Sequence, residues 1–204
     1  GLGSEVINNF GTPSIYNEMA WALDPEATFS YEDNFYEVVP GKFADIHMLP
    51  SMRPEPFETL VERREVLGRM YKTIPECRVI VLTLGLVETW FDKKAGIYVN
   101  ATPRPVMLRN DPDRFELHVL SYNEAKHYLD ATLALLKKYG HPEVQVLLSV
   151  SPVPLAETHR PMDVMIANCE SKAVLRAVAG AVTAENDFVH YYPSFESVTL
   201  SERT

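Results

Sequence analysis

The run Arg78-Val79-Ile80-Val81-Leu82-Thr83-Leu84-Gly85-Leu86-Val87-Glu88-Thr89-Trp90 constrains the fold more than any other stretch. A short, nearly unbroken apolar run rich in β-branched residues predicts a strand buried on both faces, as in the centre of a parallel sheet. Gly85 follows, where the backbone can turn without a Cβ. Glu88 and Trp90 come next. Open α/β sheets bind ligands outside the carboxyl ends of their strands, so Glu88 falls where chemistry is expected. The run alone fits a solvated loop acid equally well.

The surrounding chain supplies the partners of such a strand. Apolar runs at 144–150 and 187–191 predict two more strands, and helical periodicity separates all three. Strand, helical crossover and strand make a parallel unit. Near the start, Thr12 is placed as an N-cap with Pro13 at the first helical position, followed inward by Ile15, Met19, Ala22 and Leu23. A second helix runs over 54–74, with Glu62, Arg63, Arg64 and Glu65 as its wet face. A third opens at Ser121 with capping-box spacing to Glu124 and closes at Lys137, Lys138 and Gly140. A fourth covers 163–182.

Two segments have no place in that alternation. Residues 26–53 carry Phe29, Tyr31, Phe35, Tyr36, Phe43 and His47 without sustained period and predict a loop-rich layer over the sheet edge. Residues 89–120 predict an insertion near the crevice: a hairpin around the Asp92-Lys93-Lys94-Ala95-Gly96 turn, proline-marked loop, and an alternating strand ending at His118 and Val119.

Composition sets limits. At 204 residues the chain suits a single domain, 1–204, with a sizeable core. With 19 basic and 28 acidic side chains, net −9, a nucleic-acid groove or an anionic membrane surface is not expected as a partner. No apolar run approaches the ~20 residues of a membrane span. Cys77 and Cys169, in apolar surroundings, read as buried free thiols, which fits a reducing, cytoplasmic address. The opening Gly1-Leu2-Gly3-Ser4, without Met or a leader, reads as the interior of a longer protein.

Glycine-rich phosphate loops, CxxC and HExxH motifs are lacking, so no metal or cofactor is expected. The polar residues that converge on one sheet edge are Glu88, Ser151, Thr158, His159 and Ser194, joined by Gly11 if the first helix starts there. A serine, a histidine and an acid are the minimum for nucleophilic ester cleavage. Ser151 precedes a proline, however, and reads more readily as a turn residue.

Five blocks carry a family resemblance. Leu82 to Trp90 resembles the "TLGLxExW" signature of the GSCFA-domain family, and Phe115 to Leu120 its "RFEFHxL" strand. Ser149 to Leu155 is similar to "TVSPVPL", Asn168 to Arg176 to "ANxxSKSVLR", and Tyr191 to Glu196 to "DYFPSYE". The resemblance implies membership of the SGNH-type (GDSL-like) hydrolases, with a three-layer α/β/α sandwich around a parallel sheet. It also implies a serine nucleophile in the GSCFA block and a downstream Asp-x-x-His, neither of which is in this chain. The chain is therefore expected to be an internal fragment, inactive by itself, with Glu88, Ser151 and His159 as weak catalytic candidates. Asn9, Gly11, Gly85, Glu88 and Trp90 are expected around an oxyanion hole or substrate site, although Val87 stands where the superfamily's asparagine donor would be. The implied substrate is a small-molecule or glycan acyl ester. The competing expectation is a non-catalytic glycan-binding or scaffolding module on the same fold.

Overall fold

The computed structural model describes residues 8–201. The three runs form one parallel sheet of strands β3 (Val79–Leu84), β7 (Gln145–Val150) and β8 (Val189–Tyr191), in the order β3-β7-β8. Register pairs Ile80 with Val146, Leu82 with Leu148 and Leu84 with Val150, so these six side chains share one face. Helices α1 (Thr12–Leu23), α5 (Tyr122–Tyr139) and α6 (Val164–Glu185) cover that face, and their Met19, Leu129, Leu133, Leu175 and Val178 complete its core.

The other face corrects the expectation of a central strand buried on both sides. Among the described residues β3 lies at the sheet edge, and Val79 and Val81 are 59% and 63% exposed. The alternation of buried and exposed residues along β3 is that of a one-sided strand. Toward the carboxyl end of the sheet, α7 (Ser194–Leu200) covers β7, where the Ser194 and Ser149 hydroxyls hydrogen-bond.

The two segments outside the alternation pack together. Residues 26–53 hold a short helix α2 (Tyr31–Asn34) and an antiparallel hairpin, β1 (Phe35–Val39) and β2 (Lys42–Asp45), which turns through Gly41 at φ 73°. The insertion forms a second sheet, β5-β4-β6, from β4 (Glu88–Asp92), β5 (Ile97–Val99) and β6 (Phe115–Val119). A short helix α4 (Pro105–Asn110) fills the proline-marked loop. Tyr36, Ala44, Ile46, Val99, Met107 and Phe115 make a second core between them. Arg114 ties the layers by pairing with fully buried Asp92 at 2.6 Å and donating to the Asp33 carbonyl.

Helix ends and faces differ in detail from the sequence reading. Gly11, not Thr12, is the N-cap of α1: Ser14 Oγ accepts from the Gly11 N–H and donates to its carbonyl, so the third helical residue supplies the capping hydroxyl. The capping box of Ser121 and Glu124 is present on α5. On α3 (Phe57–Tyr71), Arg64 is buried instead of wet. Its guanidinium holds Asp45 in a two-point pair and Glu18 at 2.7 Å, and stacks over Phe29 at 4.3 Å. A buried guanidinium is tolerated where it is paired in this way. Cys77 and Cys169 are free thiols, but Cys169 is exposed and Cys77 half-buried.

Candidate functional site

The site is built where β3 ends. Gly85 and Leu86 both donate their N–H groups to the Phe10 carbonyl, at 2.9 and 3.1 Å. A Cβ at Gly85 would lie 2.7 Å from that oxygen, so the close approach of the two chains requires glycine here. Asn100 fixes the irregular segment on the other side of this crossing: its Oδ1 accepts from the Phe10 N–H, and its Nδ2 donates to the Asn8 carbonyl. From the helical side, Ser171 Oγ accepts from the Val87 N–H at 2.9 Å, and Lys172 Nζ donates to the Gly85 carbonyl at 2.7 Å. Ser151 N–H closes the β7 end onto the Leu84 carbonyl.

Two cavities flank this crossing, and they share Phe10, Leu86, Leu155 and Ala156 as walls. One, of about 330 Å³, is lined by Glu88, Trp90 and His159. The other, of about 360 Å³, is lined by Asn9, Gly85, Ser151 and Lys172. Together they form a crevice outside the carboxyl ends of β3 and β7.

Glu88 is 9% exposed, and its Oε1 accepts from Thr158 Oγ1 at 2.7 Å and from Arg160 Nε at 2.9 Å. Arg160 also binds Glu170 at 2.7 Å, and its own N–H donates to Thr158 Oγ1. Glu88 is thus a neutralised, oriented carboxylate and not a solvated one. Trp90 meets His159 edge to face, with ring centroids 5.3 Å apart, and His159 Nε2 lies 3.3 Å from Thr102 Oγ1.

The sequence-selected residues do not all meet. Glu88, Trp90 and His159 line one lobe, with Thr158 behind it on the Glu88 carboxylate, while Ser151, Asn9 and Gly85 line the other. Ser151 Oγ accepts from the Val153 N–H, the turn role its Ser-Pro context suggested. Ser194 is held at the Val150 carbonyl. Among the described residues neither serine hydrogen-bonds a histidine. The N–H groups of Gly11, Gly85, Leu86 and Val87 are all engaged within the fold. Among the described residues, no three His, Cys, Asp or Glu side chains are grouped so as to hold a metal ion.

Arg160, Asn100 and Lys172 were not picked out from sequence. Lys172 had a legible signal, since it shares a helical face with Leu175 and Ala179, an apolar phase where a lysine is out of place. Burial pushes its ammonium pKa down to about 8. Arg160, in an irregular loop, has no such phase to betray it.

Fold and crevice define an α/β protein with a small-molecule-sized site at the carboxyl edge of a parallel sheet. The GSCFA family model matches residues 3–204, and the chain belongs to that family. No curated protein and no solved structure matches the chain. Among the described residues, no helix is long and apolar enough to cross a membrane.

Proposed function

We propose that the crevice is the substrate site of an SGNH-type ester hydrolase or O-acyl transferase, acting on an acyl ester of a carbohydrate or similar polar compound. The nucleophilic serine lies outside the 204 residues in this reading, and the chain supplies binding and orientation. The observation that carries it is Glu88: an acid just past the Gly85 turn, buried, and fixed by Thr158 and Arg160 against a lobe walled by Trp90. A site with apolar and aromatic walls and a few fixed polar groups suits a small polar ester. The aromatic surface of Trp90 suits the C–H face of a sugar ring. The three-layer sandwich and a cytoplasmic address belong to the same reading. The open face bearing Val79 and Val81 is where a further helical layer would lie.

One observation favours a non-catalytic glycan-binding or scaffolding module instead. Acyl transfer needs directed donors for the developing oxyanion. The N–H groups of Gly11, Gly85, Leu86 and Val87 are already taken, and Val87 offers no side-chain donor.

Hydrolysis of p-nitrophenyl acyl esters separates the two readings. The hydrolase reading expects turnover by the full-length protein, loss of it when the serine of the GSCFA block becomes alanine, and none from residues 1–204 alone. An inactive full-length protein with that serine intact supports the module. Turnover by residues 1–204, lost on Ser151→Ala or His159→Ala, would place the machinery within this chain and overturn the reading.

A further inference from the structure

We infer that Lys172 anchors an anionic group, a carboxylate or phosphate, carried by the ester that this crevice binds; the inference rests on the crevice being the substrate site proposed above. Lys172 projects from α6 and is only 3% exposed, with Nζ 2.7 Å from the Gly85 carbonyl. An ammonium has three N–H donors, and that carbonyl takes one of them. None of the side chains lining the cavity around it is an aspartate or glutamate. Among the described residues Lys172 has no carboxylate within salt-bridge distance, whereas Arg64, the other buried cation, is paired with both Asp45 and Glu18. Removing a charge from water without a counter-charge is costly, and a leucine or methionine would fill this helical position at no such cost.

A ligand anion in the Lys172 lobe supplies the missing charge and accepts the remaining N–H groups. The lobes then differ in sign. The Trp90 lobe carries Glu157 and the neutralised Glu88, and the Lys172 lobe carries a lone cation. An ester bearing an acid at one end would lie with that acid at Lys172 and its neutral part against Trp90. On a chain of net charge −9, which repels anions in general, a buried cation makes this lobe selective for them.

The test is calorimetric binding of a matched pair, monomethyl succinate and dimethyl succinate, to the full-length protein with the nucleophilic serine of the proposed reading changed to alanine so that neither ester is consumed, with inorganic phosphate as a third probe. The expected result is at least tenfold tighter binding of the monoanion than of the diester. In Lys172→Met the monoanion should weaken about thirtyfold and lose its advantage over the diester. Competition by phosphate against the monoanion favours a phosphorylated substrate, and its absence a carboxylate; either agrees with the inference. Equal affinity for the two esters, or a preference that survives Lys172→Met, overturns it and leaves the crevice reading standing. Failure of every probe to bind overturns the inference, and the crevice reading then stands or falls on its own titration with an O-acetylated methyl glycoside. Should Lys172→Met not fold, the Lys172 13Cε resonance of the same serine-to-alanine protein, with Lys172 intact, gives the same answer: it shifts when monomethyl succinate is added, and a static resonance with the ligand bound contradicts the inference.

Discussion

Arg160 and Glu88, 72 residues apart in the chain, meet with Nε 2.9 Å from Oε1, and this pair joins the loop after β7 to the strand that leaves the Gly85 turn. Both side chains are largely buried, and Thr158 closes the triangle. The pair does for the crevice what a crossover helix does for the sheet, by holding two separate loops in one geometry.

Glu88→Gln keeps the shape and removes the charge, leaving Arg160 with Glu170 as its remaining carboxylate. Hydrogen bonds to charged groups are worth about 1.5–3 kcal/mol, and a loss of that size is expected in urea unfolding. An unchanged midpoint and slope would mean that the pair does not hold the loops together.

Gly85→Ala tests the crossing itself. Its methyl group would be driven against the Phe10 carbonyl, which accepts from two N–H groups and belongs to the backbone. Overpacking of this kind costs about 1–3 kcal/mol, and ligand binding in both lobes should weaken because Phe10 is a shared wall. Wild-type stability and binding in Gly85→Ala would contradict the account.

His47 sets an acid limit on stability. It is buried beside Trp21 and Phe29, its Nε2 contacts Asn34 Oδ1 at 2.8 Å, and its Nδ1 has no partner among the described residues. Burial lowers its pKa from 6.5 to about 3, with nearby Asp45 opposing and Arg64 assisting. A folded pKa below the unfolded one means that the unfolded chain binds the extra proton first. Stability therefore falls as pH drops from 6.5 toward 3, by about 1.4 kcal/mol per pH unit from this group. His47→Gln should flatten that part of the pH–stability curve relative to the wild type. Parallel curves for the two proteins would show that His47 is not held neutral.

How far sequence carries depends on whether a residue's environment is local. The three parallel strands, the Ser121 capping box and the inward faces of α5 and α6 follow from periodicity and neighbouring residues, and they are visible in the chain alone. The β1–β2 hairpin is not, because its strands of five and four residues are too short to alternate clearly. Arg64 misleads for a different reason. It sits in a charged run, Glu62 to Glu65, and only the distant Asp45 and Glu18 make its burial affordable. At the site, Glu88 was marked by its place after a strand and a glycine. Its partners Thr158 and Arg160 come from a proline-stiffened loop whose path no periodicity fixes.

The central claim, that the crevice takes an acyl ester, is tested most directly by amide chemical-shift mapping. The full-length protein, with the nucleophilic serine that the hydrolase reading places outside residues 1–204 changed to alanine so that ester is not consumed, is titrated with an O-acetylated methyl glycoside. The account predicts shifts concentrated at Leu86, Glu88, Trp90, Leu155 and His159, all lining one lobe. Shifts gathered instead around the separate cavity of Trp21, Phe29 and Tyr31, or no shifts at saturating ester, would contradict it.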